Sequence, residues 1–167
     1  MGLRASHPMP PPPADADPPL RQHSEGAGRI RRRFPAGDLE TRAALLAVCD
    51  GLRRAEVGED DLSSIELILA EVLNNIVEHA YASGAGIVDL DMELRRDGLF
   101  CMVRDRGAAM PGARPPCPSL PRIEPPLELP EGGFGWHIIR SLTTQLGYRQ
   151  ENGWNALSFV VPLTGTD

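Results

Sequence analysis

The chain has 167 residues, of which 41% are hydrophobic, enough to bury one domain with a substantial core. Its 17 Lys and Arg residues against 23 Asp and Glu give a net charge of −6, which disfavours a direct nucleic-acid partner. No apolar run approaches the roughly 18–20 residues that span a bilayer, and the first residues lack the apolar centre of a signal peptide, so no membrane segment is expected.

The three cysteines are an odd number, widely spaced and without a CxxC pair: Cys49, Cys101 and Cys117. This spacing argues against a disulfide framework and against a zinc site. A reducing compartment therefore fits the cysteine usage best, and we expect a cytoplasmic protein.

The first 27 residues contain seven of the 17 prolines and almost no side chains to bury. Because this composition is typical of disorder, we predict a Pro-rich tail over residues 1–27 and a folded domain over residues 28–163. Residues 28–34 alternate weakly and predict an edge strand that Pro35 ends. The three arginines at 31–33 are typical of a solvated face, although a contact with an acidic partner stays open.

Two helices are predicted next. The first covers residue 38 to about residue 57, with Gly58 as its C-cap. Its predicted core stripe consists of Leu39, Leu45, Leu46, Val48, Cys49, Leu52 and Ala55. The second covers residues 60–81 and is opened by an Asp cap at Asp60 or Asp61.

The second helix has two contrasting faces. Its polar face includes Glu71, Asn75, Glu78 and His79 and no basic residue, which is unusual for a surface helix. A wall over a ligand and a solvated face both remain open for this pattern. The opposite face is predicted to be core and consists of Leu62, Ile65, Leu69, Val72, Leu73, Ile76 and Ala80.

Two β-hairpins follow from period-2 alternation and tight-turn dipeptides. Residues 88–94 and 99–103 are joined by Asp97-Gly98, and residues 148–151 and 154–161 are joined by Asn152-Gly153. Between the hairpins, residues 104–135 show no periodicity and include eight prolines, which excludes helix and central strand. A loop of this length is either disordered or functional, and we predict a lid over about residues 106–134.

A last helix is predicted from Trp136 to about Leu146. The resulting order is β-α-α-β-β-lid-α-β-β. It predicts an α+β fold: a two-layer sandwich in which helices cover one face of a mixed, mostly antiparallel sheet.

Three separated features carry the candidate chemistry. Glu71 and Asn75 lie one helical turn apart, so a carboxylate and an amide oxygen can converge on Mg²⁺, and Glu71 can also accept a proton from an attacking hydroxyl. Asp105, with Gly107, follows a buried strand and can accept from an exocyclic amine, although an ordinary turn explains this pair as well. Gly132, Gly133 and Gly135 open a helix and can cradle phosphate or act as a hinge.

Other nucleotide sites and hydrolases have little support. The sequence has no P-loop, and its glycine spacing does not fit a dinucleotide-binding GxGxxG unit. A nucleophilic hydrolase is disfavoured because His137 lies among apolar helix residues and Cys101 lies inside a strand.

In this order, the three features resemble the GHKL (Bergerat-fold) ATPases. In detail the chain is similar to the anti-sigma-factor serine kinases, small ATPases that phosphorylate anti-anti-sigma proteins. The matching motifs are EVLNNIVEHAY at 71–81 for the N box, DRG at 105–107 for the G1 box and EGGFGWHIIR at 131–140 for the G2 box. The resemblance covers about residues 29–162.

The resemblance implies a role for each matched residue. Asn75 would coordinate the Mg²⁺ that bridges the ATP phosphates, with His79 in the same nucleotide-binding motif. Glu71 would be the general base for the substrate serine. Asp105 would bind the adenine amino group, and Gly107 would make room for the ring. The part of the lid that closes on the phosphates would contain Gly132, Gly133, Phe134 and Gly135.

The resemblance also implies partners. The substrate would be a STAS-domain anti-anti-sigma protein, and a sigma factor or other regulator would be held until the switch. A homodimer is the assembly that it suggests. The chain departs from the family pattern at Ala109, where many members have a second G1 glycine, and at residues 143–145, which replace an acidic segment.

Two other functions remain open. One is a nucleotide-binding sequestering module without kinase activity. The other is the detached ATPase domain of a histidine kinase. The Pro-rich residues 1–27 argue against the second, because they cannot form its dimerisation and phosphoacceptor helices.

Overall fold

A computed structural model describes residues 28–82, 84–117 and 134–164. The elements are β1 Arg29–Pro35, α1 Asp38–Arg54, α2 Glu59–Asn75, β2 Ile87–Arg95, β3 Gly98–Asp105, α3 Phe134–Leu142, β4 Thr144–Glu151 and β5 Trp154–Val161. The five strands form one sheet in the order β1-β2-β3-β5-β4, and every pairing between them is antiparallel. The predicted α+β sandwich is confirmed. The predicted tail (residues 1–27) and residues 118–133 of the predicted lid lie outside the described residues.

One face of the sheet is apolar and packs on the helices. Its alternate residues on the three central strands are buried: Val88, Leu90, Met92, Leu99, Cys101, Val103, Leu157, Phe159 and Val161. The other face carries charge on the predicted edge strand β1, where Arg29 and Arg31 pair with Asp91 and Arg33 pairs with Asp89. Arg31 and Arg33 of the arginine run are therefore matched by carboxylates of the same sheet.

The central helix, α2, contacts both α1 and α3. The predicted apolar face is confirmed, because its six residues from Leu62 to Ile76 are all buried, and Ala80 packs against the same core. The helix continues into a π-helical turn, Ile76–Ala80, which closes with Tyr81 N–H donating to the Ile76 carbonyl at 3.1 Å. Such turns are frequent at functional sites because they displace the following side chains from regular helical positions.

The predicted Asp cap of α2 is wrong. The N-cap is Gly58, and no side chain caps this helix end. The Asp61 carboxylate is buried and instead accepts hydrogen bonds from the Thr164 N–H and hydroxyl at 3.1–3.2 Å. Asp61 therefore joins the start of α2 to the segment after β5.

Three of the seven predicted core residues of α1 are wrong. Leu39, Leu46 and Ala55 are exposed, with Leu39 80% accessible. The buried residues of α1 recur every three or four positions and include Ala44, Val48 and Leu52. Leu39 and Leu46 are one heptad apart and fall outside this stripe.

The end of α1 also differs from the prediction. Val57 N–H donates to the Leu52 carbonyl at 3.1 Å and Glu56 N–H to the Arg53 carbonyl at 3.0 Å, the two bonds of a Schellman motif. The residue in the left-handed conformation is therefore Glu56, with φ of 61°, and not the predicted Gly58.

Two further boundaries are corrected. Helix α3 ends at Leu142, before the predicted Leu146, because the Thr143 hydroxyl donates to the Ile139 carbonyl at 2.6 Å and Thr144 already pairs with Val160 in the sheet. The β2–β3 turn consists of residues 96 and 97, so Gly98 is the first residue of β3. The Asn152-Gly153 turn is confirmed, with φ of 52° and 76° as a two-residue hairpin of this kind requires.

No helix within the described ranges combines the length and the apolar character needed to cross a membrane.

We predict that Glu56→Gly increases the free energy of unfolding by about 1 kcal/mol, because glycine adopts a positive φ without the steric cost that a β-carbon imposes. Chemical denaturation of both proteins measures this difference.

The matched control is Glu66→Gly, which replaces an exposed glutamate inside α2. It should lower the free energy of unfolding by about 1 kcal/mol, since glycine is a poor helix former. Equal destabilisation by both substitutions would contradict the conformation assigned to Glu56.

Candidate functional site

A cavity of about 540 Å³ lies where α2 meets the ends of the central strands. Its size suits a small-molecule ligand, and its wall is mainly apolar with a few polar groups. Four parts of the chain form the wall: α2 and its π-helical turn, the ends of β3 and β5, residues 108–111 with Pro116, and Trp136 with Tyr148.

The polar face of α2 is one wall of this cavity. Asn75 and His79 line it together with Val72, Ile76 and Ala80. The Asn75 Nδ2 atom is buried and has no hydrogen-bond partner among the described residues. Since an unpaired buried polar group costs about 1–3 kcal/mol, this amide is suited to a ligand. Glu78, predicted on the same face, is exposed and is not part of the wall.

Glu71 lies one turn before Asn75, is half-buried and does not line the cavity. It contacts the start of α3, where a β-carbon at Gly135 would collide with the Glu71 carboxylate. The absence of a side chain at Gly135 therefore allows the predicted glycine loop and the predicted general base to approach each other. Phe134 is 40% exposed and outside the wall. Gly132 and Gly133 lie outside the described residues.

Asp105 occupies the last inward-facing position of β3, after the buried Cys101 and Val103, and is 6% exposed. Its Oδ1 atom accepts hydrogen bonds from Gly107 N–H and Asn155 Nδ2, both at 2.8 Å. Burial raises the pKa of Asp105, and these two hydrogen bonds partly oppose the rise. No donor among the described residues reaches Oδ2, so this oxygen can accept from a ligand.

The loop after Asp105 is pressed against the end of α2. A β-carbon at Gly107 would collide with the Ala80 carbonyl, and Ala108 N–H donates to the same oxygen at 2.8 Å. Only glycine allows this close approach at position 107. Ala109, at the position of the missing second glycine, lines the cavity.

Tyr81 supports this loop from the other side. Its hydroxyl accepts from Arg106 N–H at 2.7 Å and donates to the Ile87 carbonyl at 3.0 Å. Burial of the phenol raises the pKa of Tyr81. The hydroxyl therefore stays protonated and keeps the loop next to the start of β2.

Two polar residues of the wall, Asn155 and Tyr148, are not predicted from the sequence. Asn155 is directly opposite Asp105 in the β3–β5 register and is 4% exposed. Tyr148 is opposite Leu157 in the β4–β5 register and therefore shares the inward face. The signal for Asn155 is a polar residue in an inward position of an apolar strand, but it becomes visible only when the strand register is known.

This arrangement combines a mainly apolar space, a carboxylate oxygen free to accept from an amine, and an amide nitrogen without a partner among the described residues. An aromatic ring with an exocyclic amino group fits the end at Asp105. At the other end, the unpaired Nδ2 of Asn75 can donate to an oxygen of a ligand, and the Oδ1 of the same amide is the atom that can bind a hard metal ion.

Comparisons with known proteins identify the domain family of this chain. Residues 34–161 match the family model described as the histidine kinase-like ATPase domain. The chain is 30% identical over 96 residues to the serine-protein kinase RsbW of Halalkalibacterium halodurans, covering 56% of this chain and 59% of that protein. It is 27% identical over 131 residues to the protein of the same name from Bacillus mycoides, covering 77% of this chain and 82% of that protein. The Bacillus cereus AH187 protein of that name is 25% identical over the same length.

The family match includes Asn75, His79, Asp105 and Gly107, as well as Glu71 and the start of α3. The five-stranded antiparallel sheet and its helices have the form of a GHKL-type sandwich. The aligned part spans less than two thirds of the Halalkalibacterium relative. The family match nevertheless covers well over half of the chain, and the chain belongs to the histidine kinase-like ATPase domain family.

Proposed function

We propose that this chain is an ATP- and Mg²⁺-dependent protein serine kinase. The observation that carries the proposal is the convergence of Asn75 and Asp105 on one cavity, with Glu71 one helical turn from Asn75 and against α3. Relatives named serine-protein kinases support the reaction type.

The cavity fits an adenine nucleotide. Asp105 Oδ2 accepts from the exocyclic amine of adenine, and the ring lies beside Ile76 and Leu157 of the cavity wall. Gly107 is not part of that wall and contributes by letting the loop approach Ala80. The cavity is large enough for the base and ribose. This base-binding end explains why a buried carboxylate is retained although burial disfavours its charge.

The other end of the cavity fits the phosphates and their metal. Asn75 supplies its Oδ1 to Mg²⁺, an ion that keeps several waters and phosphate oxygens in its shell. Its unpaired Nδ2 is a donor and is suited to a phosphate oxygen. Mg²⁺ neutralises phosphate charge when bound. His79 supplies a further polar group to the phosphate end, since it lines the cavity one turn after Asn75.

Glu71 acts as the general base. Its carboxylate takes the proton of the serine hydroxyl while that oxygen bonds to the γ-phosphorus and the β–γ bridging oxygen leaves with ADP. Its position outside the cavity wall, at the edge next to Gly135, suits a group that meets a protein substrate.

The protein substrate is a STAS-domain anti-anti-sigma antagonist, and a sigma factor or equivalent regulator is the second partner. We propose that they exchange on a cytoplasmic, homodimeric kinase. These partners follow from the family resemblance, while the kinase activity rests on the site.

Phosphoryl transfer tests the function directly. The purified chain is incubated with [γ-³²P]ATP, Mg²⁺ and each STAS-domain protein encoded in the same genome. We expect one of these to be labelled on serine by the wild type, and Glu71→Gln to lower the rate at least about 100-fold with ATP affinity nearly unchanged, because only proton removal is lost.

Glu66→Gln is the matched control, since it changes an exposed glutamate of the same helix. ATP binding without transfer to any STAS protein, unaltered by Glu71→Gln, would refute the kinase activity. That result would favour a nucleotide-dependent sequestering module.

Asn75→Ala should lower ATP affinity about 10- to 100-fold in the presence of Mg²⁺ and much less in EDTA, because one ligand to the metal is lost. The fold should persist, since the Asn75 side chain lies off the buried stripe of α2. Calorimetry with and without Mg²⁺ measures both affinities. A loss of equal size in EDTA would exclude the metal role.

Asp105→Asn should weaken ATP about 10- to 100-fold and leave tripolyphosphate affinity unchanged, because the new amide presents a donor where adenine also presents one. Equal loss for both ligands would show that Asp105 acts only through the fold.

The raised pKa of Asp105 adds a pH dependence to the same comparison. The ionised carboxylate accepts from adenine, so ATP affinity relative to Asp105→Asn should fall as the pH decreases through this raised pKa. The stability of the free protein should respond oppositely, because protonated Asp105 is favoured by burial and its contribution is lost as the pH rises. Parallel titrations of binding and unfolding separate the two effects.

A further inference from the structure

The hydroxyl of Tyr148 joins two walls of the cavity. It accepts a hydrogen bond from Met110 N–H at 3.0 Å and donates to Asn155 Oδ1 at 2.8 Å. Asn155 in turn donates from Nδ2 to Asp105 Oδ1 at 2.8 Å. One phenol therefore lies between the segment that follows β3 and the carboxylate at the base-binding end.

The direction of these bonds follows from the groups themselves. A backbone N–H can only donate, so the single proton of the Tyr148 hydroxyl is available for Asn155 Oδ1. Gln150 Nε2 donates to the same oxygen at 3.0 Å. With its oxygen held by two donors, the Asn155 amide must direct its NH₂ group to Asp105. Asp105 Oδ1 is thereby occupied, and Oδ2 faces the ligand.

The hydrogen bonds from Asp105 through Asn155 to Tyr148 form a network that ends at Met110. Met110 belongs to the arm, defined here as residues 106–117. The arm supplies Ala108, Ala109, Met110, Pro111 and Pro116 to the cavity wall. Its start is fixed by Ala108 N–H on the Ala80 carbonyl.

The far end of the arm is fixed by Arg140 on α3. Its Nη2 donates to the Pro115 carbonyl at 2.8 Å and its Nε to the Pro116 carbonyl at 2.6 Å. Near its start, the arm also accepts from Asn155 Nδ2 at the Gly107 carbonyl, at 3.1 Å. Between the two fixed ends, over residues 109–114, the described hydrogen bond to the sheet is the one from Met110 N–H to Tyr148.

We propose that Tyr148 is a positioning residue that couples base recognition by Asp105 to the position of the arm. The inference rests on the proposed nucleotide binding and adds a regulatory link within that site. Occupancy of Asp105 Oδ2 holds the carboxylate against Asn155 Nδ2, and this stabilises the series of hydrogen bonds from Asp105 through Asn155 and Tyr148 to Met110. By reciprocity, release of Met110 weakens binding of the base.

The test uses Tyr148→Phe, which removes the hydroxyl and keeps the ring against Leu157. We expect ADP affinity to fall about 5- to 10-fold and tripolyphosphate affinity to stay unchanged, because base recognition alone depends on the network. Amide hydrogen exchange reports the arm: ADP should slow exchange at Met110 in the wild type and leave it fast in the variant.

Gln150→Leu is the control, since it removes the other donor to Asn155 Oδ1 without touching Met110. Its Met110 amide should still be protected by ADP. This readout separates coupling from a general loosening of β4, which would expose Met110 in both variants.

Three outcomes would overturn the inference: equal loss of ADP and tripolyphosphate affinity in Tyr148→Phe, unchanged ADP affinity, or retained protection of Met110. These differ from failure of the proposed nucleotide binding, in which the wild type itself binds no ADP. In that case both proposals fall.

Discussion

The close approach of Gly107 to the Ala80 carbonyl is the constraint on which the site depends. It places the end of α2 against the end of β3, so the polar face of the helix and the buried carboxylate of Asp105 open on the same cavity. A side chain at position 107 would push these elements apart and separate Asn75 from Asp105. The π-helical turn at Ile76–Ala80 contributes because it presents the Ala80 carbonyl to Ala108 N–H. The geometry of the site is therefore set by backbone contact, and the functional side chains occupy the space that this contact leaves.

The cavity lies at the polar end of an otherwise apolar layer. Along β3 and β5 the inward positions are apolar, from Leu99 to Val103 and from Leu157 to Val161, and they end in Asp105 and Asn155. These two residues satisfy each other, which reduces the cost of burying them. Burial still raises the pKa of Asp105, so ionising this carboxylate costs the domain some stability. An apolar residue would pack there without this cost, whereas the carboxylate leaves one oxygen open to a ligand.

Much of the fold could be predicted from local patterns, and the errors have local causes. Period-2 alternation located β2 and β3, and the Asn152-Gly153 dipeptide located the second hairpin, because tight turns need residues that tolerate positive φ. The apolar stripe of α2 was predicted correctly because this helix packs along its whole length. The stripe of α1 was overestimated because Leu39 and Leu46 are apolar but face away from α2 and the sheet. The end of α3 was placed too late because Leu146 continues an apolar pattern although Thr144 already pairs with Val160.

The sequence by itself determined the type of each long element, the two-layer arrangement and the residues of the three matched motifs. These depend on side-chain chemistry and on spacing within one segment, both of which are visible without coordinates. Only the tertiary structure decided which of these residues meet. It places Asn75, His79 and Asp105 in one cavity and Glu71 against Gly135, and it adds Asn155 and Tyr148 through strand register. The physical reason is that register and helix-to-strand contact join residues far apart in the chain, here Asp105 and Asn155, and no periodicity within either strand specifies that pairing.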